Sequence, residues 1–186
     1  VTNILAFDAR MDLASKKSRG HALGAIGALV DLLSRCTLLP ADRRLRAFHA
    51  QPGLIGTLQR NPEQPWAPGK ALPGKITPAQ LIAWAYEDWL KETYFRLIQV
   101  LESWCSDEIE YSRTRALHFV YGLLKEKPEQ ESNLLRFLVN KLGDRDRKPS
   151  SRASYLLLQL QNSHPGLKPL LVRTTDPALP FPPPLA

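Results

Sequence analysis

Apolar residues recur at every third or fourth position along most of this chain, which is the spacing of amphipathic α-helices. The stripes occupy residues 2–15, 20–36, 77–104, 108–124, 128–142 and 149–163. No segment keeps the alternation of apolar and polar residues that is typical of β-strands. The pattern therefore predicts an all-α protein.

Two of the predicted helices begin with capping signals. Thr77 is followed by Pro78 and Gln80, so a threonine cap, a proline in the first turn and a capping-box glutamine are all available. Asp107 and Glu110 have the same spacing one helix later. We therefore expect helices to start directly after Thr77 and Asp107, and the first of them to be the longest element.

The last three helices are predicted to start near residues 108, 128 and 148, at an interval of about 20 residues. Helices joined by short turns at a fixed interval lie antiparallel and stack on one another. We therefore expect an α-solenoid of antiparallel helix pairs, of the HEAT or armadillo kind. It would form a single repeat domain over residues 1–173.

Three segments interrupt the helical pattern. Residues 41–50 are predicted to form one or two short helical turns. Residues 51–77 are dense in proline and glycine, which predicts an irregular loop inserted between helices. Residues 174–186 contain five prolines and no helical pattern, which predicts a disordered C-terminal tail.

Charge is distributed unevenly along the chain, whose net charge is +7. Residues 132–173 carry a balance of +6, whereas residues 78–131 carry −4. Much of the positive charge lies around one turn between helices, which we call the basic turn: Lys141, Arg145, Arg147, Lys148 and Arg152. Clustered cations suit contact with the phosphates of RNA. The alternative is a solvated turn in which Asp144 and Asp146 pair locally.

Signals for catalysis or metal binding are weak. The four histidines are scattered without metal-ligand spacing, the two cysteines are far apart, and no phosphate-binding glycine loop occurs. The helical spacing of Trp84, Trp89 and Trp104 favours core packing over base stacking. We therefore expect no enzyme activity, no cofactor, no metal and no small-molecule ligand. We also expect no membrane contact, because no apolar run approaches the roughly 18 residues of a membrane-spanning helix.

Four stretches of sequence carry a family resemblance. They are LLPADRRLRAF (38–48), YEDWLKETYF (86–95), KEKPEQESNLLRFLVNKLGD (125–144) and SSRASYLLLQLQNSHP (150–165). In the residues, order and spacing of these stretches, the chain resembles the CCAAT-binding-factor-like nucleolar complex proteins, which are assembly factors of the large ribosomal subunit. The resemblance covers most of residues 1–173 and ends where TTDPALPFPPPLA begins. It implies a fragment or a truncated form of such a protein.

The resemblance implies a helical repeat scaffold in the nucleus and nucleolus. Its partners would be pre-ribosomal RNA, a partner protein of the same nucleolar complex class, and proteins of the pre-ribosomal particle. We expect RNA contact at the basic turn and partner contact at Trp66, Arg43 and Arg44. Two other functions remain open: a transcription factor acting at CCAAT elements, and a pure protein–protein adaptor.

Overall fold

The protein was analysed as a computed structural model, which describes residues 2–15, 18–35, 38–39, 43–60, 69, 76–127, 129–167, 169 and 172–173. Its α-helices are α1 (Thr2–Ala14), α2 (Arg19–Arg35), α3 (Pro52–Arg60), α4 (Pro78–Cys105), α5 (Glu110–Glu126), α6 (Glu131–Asn140) and α7 (Arg147–Ser163). Short 3-10 turns cover Phe48–Ala50, Lys141–Gly143 and Pro165–Leu167. Within the described residues there is no strand, and the all-α prediction is confirmed.

The chain divides into two compact units. The first contains Val1–Arg43 and Arg96–Ala186, and the second contains Arg44–Phe95. Helix α4 belongs to the second unit up to Phe95 and to the first unit beyond it. The single domain over residues 1–173 remains a prediction.

In the first unit, α1 lies beside the end of α4, and α2 lies beside α5. The contacts along each of these two interfaces give the relative direction of the helices. Along α1 and the end of α4, Asp8 pairs with Arg96 and the Ala14 carbonyl accepts a hydrogen bond from the Trp104 indole. Along α2 and α5, Arg19 pairs with Asp107 near the helix starts, while the side chain of Val30 lies by Gly122 further along. At each interface the residue numbers of both helices increase in the same direction. Helix α1 therefore runs parallel to the end of α4, and α2 runs parallel to α5.

Helices α6 and α7 add a third pair. Lys148 at the start of α7 pairs with Glu110 at the start of α5, at 3.3 Å. Arg113, also near the start of α5, pairs with Asp144, which follows α6. Helix α6 therefore runs antiparallel to both α5 and α7. This is the predicted arrangement of antiparallel pairs, whereas the HEAT or armadillo assignment remains a prediction.

The core of the first unit is built from the predicted apolar stripes. Fully buried positions include Ile26, Leu29, Leu33, Leu117, Val120, Leu134, Leu138 and Leu160. Gly27 helps α2 approach α5, because a Cβ there would lie 3.4 Å from the Phe119 ring. The other glycine of that stripe, Gly24, faces open space. Only one of the two therefore serves close packing.

In the second unit, a face of α4 holds the extended segment before the Phe48–Ala50 turn. The Glu87 carboxylate accepts a hydrogen bond from the Arg46 amide, and Asp88 accepts one from the Phe48 amide, both at 2.9 Å. The Lys91 ammonium donates to the Leu45 carbonyl at 3.0 Å. The helical turns predicted for residues 41–50 are therefore limited to Phe48–Ala50 within the described part of that segment.

The irregular loop predicted for residues 51–77 is wrong in its first part, where α3 forms. Gly53 allows α3 to pack closely against Trp84, because a Cβ at this position would lie 2.7 Å from the Trp84 ring. Close packing against tryptophan thus explains a Pro-Gly pair that looked like loop signal. Residues 61–68 and 70–75 of this segment, and the tail 174–186, lie outside the described residues.

The capping predictions had mixed outcomes. The Thr77 box forms, because the Gln80 amide donates to Thr77 Oγ1 at 3.3 Å and the Thr77 amide donates to Gln80 Oε1 at 2.9 Å. Asp107 does not cap α5, since its carboxylate accepts a hydrogen bond from the Ile109 amide, at 2.8 Å, before the helix begins. None of the helices that the structure describes is both long and apolar enough to cross a membrane.

Candidate nucleic-acid interface

Two turns meet at the end of the first unit where α5 and α7 begin. Residues 106–109 join α4 to α5, and residues 141–146 join α6 to α7. The two helix starts lie side by side, so these turns are neighbours although more than thirty positions separate them. The basic turn predicted from the sequence is formed by the second of them and the beginning of α7.

A buried arginine from α5 fastens the two turns together. Arg113 is 2% exposed. Its Nε and Nη2 donate to the two carboxylate oxygens of Asp144, each at 3.1 Å, and Nη2 also donates to Asp146. Its Nη1 donates to the carbonyls of Asp107 and Glu108, at 2.8 and 2.9 Å. These five hydrogen bonds match the five N–H groups of a guanidinium.

The carboxylate opposite this arginine is equally well matched. The side chain of Asp144 is 3% exposed, and Lys141 pairs with it at 3.1 Å. Burial tends to raise the pKa of the Asp144 carboxyl, but hydrogen bonds from the Asp146 amide, Lys141 and Arg113 outweigh it and lower that pKa below its ordinary value. Burying charges is costly unless they are paired and hydrogen-bonded, and this site satisfies both conditions.

The five cations of the basic turn differ in how much charge they present to solvent. Lys141 is turned inward towards Asp144, with 17% of its side chain exposed. Arg145 and Lys148 are 68% and 81% exposed, and Arg147 is also exposed. Arg152 lies farther along α7, where its guanidinium is 5.7 Å from the centre of the Tyr155 ring.

The exposed cations have weak local partners. Arg145 donates to the Glu108 carbonyl at 2.8 Å and pairs with Asp146 at 3.6 Å, and Lys148 pairs with Glu110 at 3.3 Å. Exposed ion pairs of this kind contribute about 0–1 kcal/mol. They can therefore be exchanged for phosphate contacts at little cost. Asp144 and Asp146 do pair within the turn, as the alternative expected, but their main partner is Arg113.

A second basic segment of the sequence reaches the same end of the unit. Arg19 at the start of α2 pairs with Asp107 at 3.3 Å. The hydrogen bonds from the Ile109 amide and from Arg19 outweigh burial and lower the pKa of the Asp107 carboxyl. The neighbouring Lys16 and Lys17 lie outside the described residues. The sequence alone gave no reason to associate residue 19 with the basic turn.

Sequence reasoning missed Arg113, the residue that organises the site. A signal for it exists, because Arg113 precedes Ala116, Leu117 and Val120 at helical spacing and therefore falls on the buried stripe of α5. A lone charge on an apolar stripe requires a buried partner.

The predicted partner-binding residues are only partly described. Arg43 and Arg44 are exposed in the segment that precedes the Phe48–Ala50 turn, whereas Trp66 lies outside the described residues. Partner contact at these three residues therefore stays a prediction.

Nothing in the described parts of the chain groups three or more potential metal ligands from His, Cys, Asp and Glu. Cys105, at the end of α4, is 3% exposed. Burial raises the pKa of its thiol to about 12, so the reactive thiolate is suppressed at neutral pH. Cys36 lies outside the described residues.

Comparison with known proteins gives a consistent set of relatives, although no family model matches the chain. The chain is 64% identical over 174 residues to the ribosome biogenesis protein NOC1 of Chaetomium thermophilum, covering 94% of this chain and 17% of that protein. It is 35% identical over 161 residues to the CCAAT/enhancer-binding protein zeta of Mus musculus, covering 85% of this chain and 14% of that protein.

A third relative is named for a nucleolar complex. The chain is 27% identical over 154 residues to the nucleolar complex protein 1 of Drosophila melanogaster, covering 83% of this chain and 12% of that protein. The chain thus spans between 12% and 17% of the length of these relatives. It belongs to the CCAAT-binding-factor-like nucleolar complex family.

Proposed function

We propose that this chain is a non-catalytic scaffold segment that acts in the nucleolus during assembly of the large ribosomal subunit. The relatives are named for ribosome biogenesis and for a nucleolar complex, which supports the general role. Stacked helix pairs offer a long, rigid surface suited to holding RNA and protein together. The segment binds precursor ribosomal RNA and a partner protein of the same nucleolar complex class.

The observation that carries the RNA contact is a set of exposed cations on a fixed turn. Arg145, Arg147 and Lys148 present their charges within four positions of sequence. Arg113 and Asp144 fix the turn from below. A cationic surface that is already ordered loses little entropy when it meets phosphate. Arg43, Arg44 and Trp66 are the proposed contacts for the partner protein.

A charge-neutralised variant tests the RNA contact. The variant carries Arg145→Gln, Arg147→Gln and Lys148→Gln, and its RNA affinity is measured by fluorescence anisotropy at several salt concentrations. Each lost phosphate contact lowers the slope of log affinity against log salt by about 0.7–0.9. We therefore expect weaker binding and a slope that is smaller by about 2.

The matched control removes the same charge elsewhere. Arg10, Arg35 and Lys125 are exposed and lie outside the basic turn, so their replacement by Gln should leave the salt slope close to that of the wild type. Equal losses in both triple variants would indicate an effect of net charge alone and would refute a contact at the basic turn.

The same variant separates RNA binding from a pure adaptor role. Proteins that co-purify with the chain from a nucleolar extract after RNase treatment are compared for the wild type and the basic-turn variant. We expect the protein partners to be retained and RNA binding to be weakened. A DNA-binding transcription factor would instead prefer duplex DNA of defined sequence, which a competition experiment with CCAAT-containing DNA measures.

A further inference from the structure

A polar groove of about 310 Å³ opens between the two turns of the first unit. One wall is formed by Ser106 and Glu108, which precede α5. The other is formed by Asn140, the last residue of α6, and by Gly143 and Arg145, which follow α6. This volume is at the lower end of the roughly 300–1,000 Å³ typical of ligand sites. It is too small for a helix of a partner protein, and it lies directly beside the exposed cations.

The groove is formally neutral, unlike its surroundings. Its acidic side chains are Asp107, Glu108 and Asp144, and its basic side chains are Arg113, Lys141 and Arg145. A neutral groove with hydrogen-bond donors and acceptors suits a neutral polar group. A cationic rim suits phosphate.

We propose that the groove holds one unstacked nucleobase of RNA, while the adjoining phosphates lie against Arg145, Arg147 and Lys148. The inference rests on the proposed RNA contact and specifies the form of RNA that is bound. Sequence-tolerant recognition of single-stranded RNA commonly combines a basic track with bases held out of the stack.

Two residues supply the groups that such recognition needs. The Arg145 guanidinium lines the groove and donates a hydrogen bond to the Glu108 carbonyl at 2.8 Å, while 68% of the side chain is exposed. A planar guanidinium at this position provides a surface on which a base stacks. Asn140 is exposed at the end of α6 and lines the groove. Its amide can donate to and accept from the edge of a base.

The experiment compares two probes with the same number of phosphates. One is a short single-stranded RNA, and the other is the same ribose–phosphate chain with its bases removed. Binding to the full 186-residue chain is measured at one fixed salt concentration. We expect the RNA to bind roughly five- to 150-fold more tightly than the abasic chain, which is the range that stacking of one base supplies.

Two variants locate that preference in the groove. Arg145→Lys keeps the charge but removes the planar guanidinium. Gly143→Leu adds bulk to the groove wall, and a Cβ at Gly143 meets no atom within 4 Å. Both variants should bind the RNA only as tightly as the abasic chain, with unchanged binding of the abasic chain itself. Gly24→Leu is the matched control, since Gly24 also faces open space but lies in α2, and it should keep the full preference.

The possible failures are distinct. If wild-type protein binds both probes equally, the base-binding groove is refuted while the phosphate contact stands. If it binds neither, the proposed RNA function fails as well. If the preference persists in Arg145→Lys and Gly143→Leu, the base is held elsewhere and the groove is not its site.

Discussion

The two ends of the helix pairs in the first unit are held by contrasting means. Where α2 and α5 begin, Arg113 makes five hydrogen bonds to the two adjacent turns from a buried position. Where those helices end, the half-buried Lys127 donates one hydrogen bond to the Leu39 carbonyl, at 3.0 Å. One end thus contains a fully matched buried arginine, whereas the lysine contact described at the other end is a single hydrogen bond from a half-buried side chain.

This difference explains why the proposed binding surface lies where it does. Exposed cations repel one another and do not order a turn by themselves. At the Arg113 end, the ordering comes from a residue beneath the surface, so Arg147 and Lys148 do not have to provide it.

The largest effect is expected when the buried arginine is replaced. Arg113→Met leaves Asp144 buried without its main partner and removes the donors for two turn carbonyls. Breaking a buried pair in this way costs about 3–5 kcal/mol, measured as the free energy of unfolding in urea. Arg115→Met is the control two positions along the same helix, where the exposed guanidinium lies over the Phe119 ring at 5.2 Å. The Arg115→Met variant should lose less than about 1 kcal/mol in the free energy of unfolding.

A second variant identifies the cause of that loss. Adding Asp144→Asn to Arg113→Met removes the buried carboxylate that has lost its main partner, so part of the lost stability should return. If the double variant is less stable than Arg113→Met, the arginine contributes mainly through packing. The contrast between the two ends would then rest on shape and not on charge.

Acid should weaken the Arg113 end selectively. The pKa of the folded Asp144 carboxyl lies below its ordinary value, so the stabilisation is complete above about pH 4, the unfolded value, and is lost as the pH falls through the folded pKa. Urea unfolding at a series of pH values from neutral to acidic measures this. Asp144→Asn should be less stable at neutral pH and should show a shallower loss in acid. An unchanged acid slope would contradict the assignment.

His118 produces a separate loss of folding stability, at a higher pH than that of Asp144. Burial, and then Arg152 and Arg115, lower the pKa of its imidazole. The neutral form is therefore favoured in the folded protein, and the stability it supports is lost as the pH falls from about 6.5, the unfolded value. His118→Gln should remove this upper step and leave the acid step of Asp144 in place.

The sequence predicted the helical part of this fold far better than its turns. The stripes of α2, α4, α5, α6 and α7 are long, and burial of apolar side chains follows their period directly. The α3 helix was missed because Pro52, Gly53 and Gly56 are turn formers in general statistics. At Gly53, however, the glycine serves contact with Trp84. That contact joins distant positions and leaves no local signal.

The same limit applied to the candidate site. The cations of the basic turn could be found because they are close in sequence. Their anchor could not be found by local reasoning, since Arg113 is 31 positions from Asp144. Pairing them requires the neighbouring arrangement of α5 and the α6–α7 turn. A charge on a buried stripe marks where such a partner is needed, but it does not name the partner.

A smaller effect is expected at the opposite end. Lys127→Met keeps the aliphatic contacts and removes the hydrogen bond to the Leu39 carbonyl, which should cost about 1 kcal/mol in the free energy of unfolding. Lys125→Met, an exposed lysine two positions earlier, should change stability by less than about 0.5 kcal/mol. If Lys127→Met matched Arg113→Met, the two ends would be equally anchored and the comparison would fail.

The smallest effect on stability is expected for the cations proposed to meet RNA. In the triple variant Arg145→Gln, Arg147→Gln and Lys148→Gln, each replaced side chain is exposed, so the free energy of unfolding should change by less than about 1 kcal/mol in total. The measurement is urea unfolding of the same samples used for RNA binding. A loss as large as that of Arg113→Met would mean that these cations hold the turn together themselves. Weak RNA binding by that variant would then follow from a disordered turn, and it would no longer report a phosphate contact.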